Sequence, residues 1–174
     1  MGCRSDYTRP AETATDTAGK LDAIKHALYW AENNYNKKYE YLLDLDVTSP
    51  LRTMDDLNTA FANFVSDAEC LTLFSVNRAA RNPYFNMVEK RENGYYHLVK
   101  GGGFLTRQSS PEVCDINGSF YFYKRHFFEM DYKTALTEKS LVYIMPHICF
   151  DLDELHDFEF MEYMITHHKL GFEL

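Results

Sequence analysis

Apolar and polar positions along this chain repeat with two different periods, and the changes of period divide it into elements. From Asp16 onward Leu21, Ile24, Leu28 and Ala31 recur at helical spacing, with Thr15, Asp16 or Thr17 placed to cap the first turn. Residues 41–45 form a short apolar run with the length of a buried strand, and the loop Thr48-Ser49-Pro50-Leu51-Arg52 follows. Thr53 and Asp56 have capping-box spacing, with Asp in place of the usual Glu. Leu57, Phe61, Phe64 and Val65 then give the next helix an inner face, and residues 70–76 read as a second buried strand. Strand, helix, strand behind a leading helix favours an α/β domain with a parallel sheet.

The middle of the chain breaks this rhythm. Residues 85–89 and 95–99 flank Glu92-Asn93-Gly94, a hairpin turn. Gly101-Gly102-Gly103 lacks the Lys-Ser/Thr that closes a phosphate loop and reads as a hinge. Residues 117–123 and 141–145 read as strands. The tail from Asp153 is helical, with Leu155, Phe158, Met161 and Ile165 on one side. The expected architecture is one domain over residues 1–174. It is a three-layer, Rossmann-like α/β sandwich with a mainly parallel sheet and a small lobe inserted at approximately 84–135.

Composition narrows the classes of function. Apolar residues at 45% are enough for one core in a chain of this length. The net charge is −8 and the longest basic cluster is Lys124-Arg125-His126, so no nucleic-acid footprint is present. Cys3, Cys70, Cys114 and Cys149 form no C-x-x-C pair, which argues against a zinc site and a disulfide framework. There is no secretory signal and no apolar run of membrane length, so a cytoplasmic protein is expected.

Candidate chemistry lies at three places. Asp151-Leu152-Asp153 follows a strand and precedes a helix; residues two apart in an extended stretch point the same way, so two carboxylates would converge at a sheet edge. Such hard oxygen ligands suit Mg²⁺ together with substrate phosphates. The competing reading makes Asp153 a helix cap, with Asp157 a solvated helix residue. The loop at Ser49 and Arg52, after a strand ending at Asp46, offers hydroxyl and guanidinium donors to a carboxylate or phosphate; turn geometry and surface pairing explain it equally. Arg107 and Asn117 are candidates for a sugar acid, or structural residues. The histidines form no metal set, and no hydrolytic triad is legible.

Taken in order, these segments resemble the acylneuraminate cytidylyltransferase family, the CMP-sialic acid and CMP-nonulosonic acid synthetases. Arg9-Pro10-Ala11-Glu12 with Asp16-Thr17-Ala18 is similar to its RPAE…DTA segment. Thr48 to Thr53 is similar to its TSPLRT loop, and Arg107-Gln108 with Pro111 to its RRQ-x-x-P stretch. Asn117-Gly118-Ser119-Phe120-Tyr121 is similar to its NG-x-x-Y strand, and Asp151-Leu152-Asp153 with Asp157 to its DID-x-x-x-D element. The resemblance implies transfer of CMP from CTP to a nonulosonic sugar acid, with pyrophosphate released. It places Arg9 at the cytosine end of CTP and Mg²⁺ on Asp151 and Asp153 as the catalytic pair. Arg107, Asn117 and Tyr121 would face the sugar acid, and Ser49 and Arg52 would shape the loop beneath it. It also implies a homodimer paired through the lobe after the Asn-Gly strand, where residues 120–128 are aromatic-rich.

Two departures matter. Asp46-Val47 stands where the family has Gln-Pro, a position facing the sugar acid, which points to a legionaminate-like nonulosonic acid rather than common sialic acid. Nothing here resembles the family's A-x-I-P-A-R-x-G-S-K loop, which cradles the CTP phosphates. An N-terminally truncated chain with low activity is therefore expected, or a non-catalytic remnant acting as a binding or dimerising module. A KDO-type substrate is disfavoured by the Thr-Ser-Pro-Leu-Arg loop.

Overall fold

The computed structural model describes residues 5–15, 19–130 and 132–174. The expected caps Asp16 and Thr17 lie outside the described residues. The first helix, α1, spans Lys20–Tyr35, and Gly19 at its N-cap makes no side-chain bond. It ends where Asn36 adopts a left-handed conformation, φ 49°, which Asn tolerates better than most residues. Strand β1 (Tyr41–Leu45) leads through the Ser49 loop to helix α2 (Met54–Ser66). The capping box forms as expected: Thr53 Oγ1 accepts from the Asp56 amide at 3.1 Å, and Asp56 Oδ2 accepts from the Thr53 amide at 2.7 Å.

Strand β2 (Thr72–Arg78) follows, then a hairpin of β3 (Val88–Lys90) and β4 (Tyr96–Leu98) turning at Gly94, whose φ of 84° suits glycine. Strand β5 (Cys114–Lys124), strand β6 (Ser140–Ile144) and helix α3 (Leu155–Thr166) complete the chain.

The sheet order is β1-β5-β2-β6. β5 runs antiparallel to both β1 and β2, and only β2 and β6 pair in parallel. The sheet is therefore mixed, not mainly parallel. Phe120, Phe122 and Tyr123 bury both faces of β5, the kind of apolar run that a parallel strand carries, so its direction was set by pairing with β1 and β2 and not by composition. The expected insertion at approximately 84–135 also divides. The β3–β4 hairpin forms its own two-stranded sheet, whereas β5, from the same stretch, lies inside the main one.

Each face of the sheet carries a core. Leu73, Phe120 and Phe122 pack with Ala60 and Phe64 of α2 and Met161 of α3. Leu71 and Tyr123 pack with Leu28 of α1 and with Phe127 and Phe128. β1 is an edge strand, not the buried strand its sequence suggested: Leu43 and Leu45 are each 41% exposed. The β2–β5 ladder breaks between Phe74 and Val76. Phe74 pairs with Tyr121 but Val76 pairs with Ile116, so β5 bulges across 117–120 opposite Ser75. That bulge builds one wall of the site.

Candidate functional site

The loop after β1, the β5 bulge and the segment after β6 meet at one end of the sheet. Backbone bonds join them: the Asp46 amide donates to Ser119 O at 3.1 Å, and the Leu152 amide donates to Thr48 O at 2.8 Å. Asp46, Ser49, Arg52, Asn117, Tyr121 and Asp151 are thereby brought to the same region, although the sequence disperses them over a hundred positions.

Most of these side chains hold the loops in shape. Ser49 is fully buried and donates to Asn117 O at 2.9 Å. Arg52 Nη1 donates to Asp46 O, Ser49 O and Ser119 O at 2.9, 2.8 and 3.0 Å, so one guanidinium nitrogen ties the loop to the bulge. Asn117 is 8% exposed. Its Oδ1 accepts from Ser75 Oγ at 2.6 Å and from the Ser119 amide at 3.1 Å, and its Nδ2 donates to Asn77 at 3.0 Å. These bonds occupy most of the capacity that was expected to meet sugar hydroxyls.

The charged rim surrounds Tyr121. Asp46 Oδ1 accepts from the Thr48 amide and hydroxyl at 3.2 and 3.0 Å, and Asp46 Oδ2 accepts from Lys20 at 3.1 Å. Burial opposes ionisation of Asp46, but the bonds from Lys20 and Thr48 outweigh it and hold the carboxyl below its ordinary range. Burial pushes the Tyr121 hydroxyl up; Lys20 opposes this, and the nearby charges of Asp44, Asp46 and Asp151 add to it. Asp151 is half-buried beside Gly118: a β-carbon on that glycine would lie 3.8 Å from Asp151 Oδ2, and its φ of 71° is a conformation that glycine adopts without strain.

Three expected residues make their hydrogen bonds outside this cluster. Asp153 is exposed at the entry to α3. It is not the N-cap: that is Glu154, and Asp157 three residues on reaches back in a capping box, its Oδ2 accepting from the amides of Asp153 and Glu154 at 3.1 and 2.9 Å. Arg107 donates to Ala80 O at 2.7 Å and lines a cleft of about 360 Å³ with Arg78, Asn82 and Glu112. The Arg9 guanidinium donates to the Thr13 carbonyl within its own turn. Asp16, Thr17 and Ala18 of the same motif are outside the described residues. Among the described residues no group of three or more His, Cys, Asp or Glu side chains is placed to hold a metal.

Sequence reasoning passed over Lys20, Asp44 and a buried pair beneath α2. Asp56 is 2% exposed and accepts from Tyr143 at 3.0 Å, with His147 Nε2 at 2.8 Å, while the His147 ring stacks on Phe172 at 3.7 Å. Burial first, then the bond to Asp56, pushes the Tyr143 hydroxyl up to about 12. Asp44 was legible in principle, because it is a second carboxylate two residues before Asp46. No local signal marks Lys20.

Comparison with known proteins sets this geometry in context. Over 164 residues the chain is 34% identical to the post-translational flagellin modification protein B of Campylobacter coli, covering 94% of this chain and 69% of that protein. Over 166 residues it is 33% identical to a CMP-N,N'-diacetyllegionaminic acid synthase of Campylobacter jejuni, covering 95% of this chain and 69% of that protein. No family model matches the chain.

Proposed function

This chain belongs to the CMP-nonulosonic acid synthetase family, and from that premise we propose that it serves the transfer of CMP from CTP to a legionaminate-like nonulosonic acid. The reading is carried by one observation: the loop after β1, the β5 bulge and Asp151 form a single rim around Tyr121 at one end of the sheet. In the reaction the anomeric oxygen of the sugar acid forms a bond to the α-phosphorus. The bond from that phosphorus to the pyrophosphate oxygen breaks, and the hydroxyl proton passes to solvent. No side chain becomes covalently attached, so the protein's task is to position the two substrates.

Asp151 fits a Mg²⁺ ion by donor type, with Asp153 as the second carboxylate. Magnesium takes one or two carboxylates and completes its shell from phosphates and water. Bound there, the ion would screen the charge of the reacting phosphates. The protein's own contribution is to fix Asp151 against Gly118 and to hold Asp46 and Tyr121 along the sugar side. Arg107 lines its own cleft with Arg78 and Asn82, a second anion-binding place for the acid.

The test is to measure binding of CTP with Mg²⁺, and of N,N'-diacetyllegionaminic and N-acetylneuraminic acids, to the purified chain, alongside pyrophosphate release. Binding of CTP and preference for the legionaminic acid are expected, with Asp151→Asn weakening CTP binding in Mg²⁺ but not without it. A folded protein that binds neither CTP nor either acid would overturn the reading. The same assay addresses the chain's own competence. Within these 174 residues no segment resembles the family's phosphate-cradling loop, so binding with little pyrophosphate release is expected. Full turnover would remove the non-catalytic alternative. Pairing of two copies is checked by light scattering on the same sample.

A further inference from the structure

Lys20 lies in none of the segments that carry the family resemblance, yet it closes the charged rim. It is the first residue of α1, and its ammonium lies 2.9 Å from Asp44 Oδ2 and 3.1 Å from Asp46 Oδ2. Asp44 Oδ2 is cut off from solvent, so the ammonium takes the place that water cannot. The same ammonium stands 5.1 Å from the centroid of the Tyr121 ring, a cation–π distance. Lys20, Tyr121, Phe74 and Ile116 line a cavity of about 240 Å³.

Asp44 on β1 and Asp46 just beyond its end both pair with Lys20, two like charges beside a site whose proposed substrate is itself an acid. Burial pulls the Lys20 ammonium down, but the two carboxylates more than reverse this and keep it charged. The ammonium hydrogen-bonds Asp46 and stands at ion-pair distance from Asp44, so a single cation balances both carboxylates from one position.

We propose that Lys20 is a specificity-determining positioning residue: by neutralising Asp44 and Asp46 over Tyr121, it allows an anionic sugar acid to settle in a pocket that would otherwise repel it. This rests on the reading that the acid binds at this end of the sheet. It also explains how Asp46 is compatible with an acidic substrate at a position where the family carries Gln.

The decisive experiment measures the affinity of N,N'-diacetyllegionaminic acid for the wild type, Lys20→Met, Lys20→Arg and the double variant Lys20→Met/Asp46→Asn. Lys20→Met should weaken the acid by about tenfold in low salt, and by much less at about 0.5 M salt, where screening removes most of a partly exposed charge effect. Lys20→Arg should stay within about threefold of wild type, and the double variant should recover most of the loss, because removing one carboxylate restores the balance. Far-UV circular dichroism like that of the wild type reports that the variants are folded. A Lys20→Met protein that binds the acid as the wild type does, or whose loss is insensitive to salt and not restored by Asp46→Asn, would overturn the proposal and leave the family reading standing. A wild type that binds no acid at all would overturn both.

Discussion

Asn117 shows how a residue can be selected by sequence and then given a different task by its neighbours. The Asn-Gly pair on an aromatic strand reads as a sugar ligand or as a residue that holds a loop, and the amide sits between Ser75, Asn77 and Ser119 and fixes the bulge. Asn117→Ala would leave the buried Ser75 hydroxyl and Ser119 amide short of an acceptor. A loss of about 1–3 kcal/mol is expected, read by urea denaturation. An Asn117→Ala protein as stable as the wild type would show that water replaces the amide there. Arg52 makes the same point. Its sequence context suits either an anion donor or a residue that shapes the loop, and it engages three carbonyls, because a guanidinium on a tight loop finds backbone acceptors first. Asp46 and Asp151 were found by type and place. Lys20 was not, because a lysine at a helix start carries no mark of what it will meet in space.

Among the elements, α2 was the most legible, since its Thr53–Asp56 box and its apolar face agree with each other. The structure adds that Asp56 has a second duty. One carboxylate caps the helix and receives Tyr143 and His147 from β6 and the segment after it. Thr53→Ala removes the hydroxyl that accepts from the Asp56 amide and should cost about 1 kcal/mol. In a chain of this size that is about 2–4 °C in melting temperature, measurable by differential scanning fluorimetry. Thr53→Ser should retain most of the stability. By contrast, α3 kept its length but not its expected face. Met161 is buried while Leu155 and Phe158 are 74% and 54% exposed, so apolar spacing alone did not decide which side meets the sheet. β1 was read as buried for a related reason: an apolar strand at a sheet edge has the same composition as one at its centre.

At the scale of the whole molecule, the ion pair between α1 and the turn after β5 contributes to the response to acid. Arg125 donates to Glu32 through Nε at 2.7 Å and Nη2 at 3.1 Å, and Lys38 adds a bond of 2.9 Å. The bond from Arg125, then that from Lys38, hold the Glu32 carboxyl at about 2. Its folded value lies below its unfolded one, so its stabilisation is fully present above about pH 4.5 and is lost as pH falls toward about 2. Thermal unfolding followed across that window should fall steeply in the wild type and less steeply in Glu32→Gln; parallel profiles would remove Glu32 as the cause. What the sequence determined by itself was local: helix periods, the α2 cap, the hairpin turn and the order of the family-like segments, all set by neighbours within a few residues. The direction of β5, the edge position of β1, the bulge at Asn117 and the meeting of Lys20 with Asp44 and Asp46 were decided only by the tertiary structure. Strand pairing and charge pairing join residues far apart in the chain, and no local pattern encodes which partner each will find.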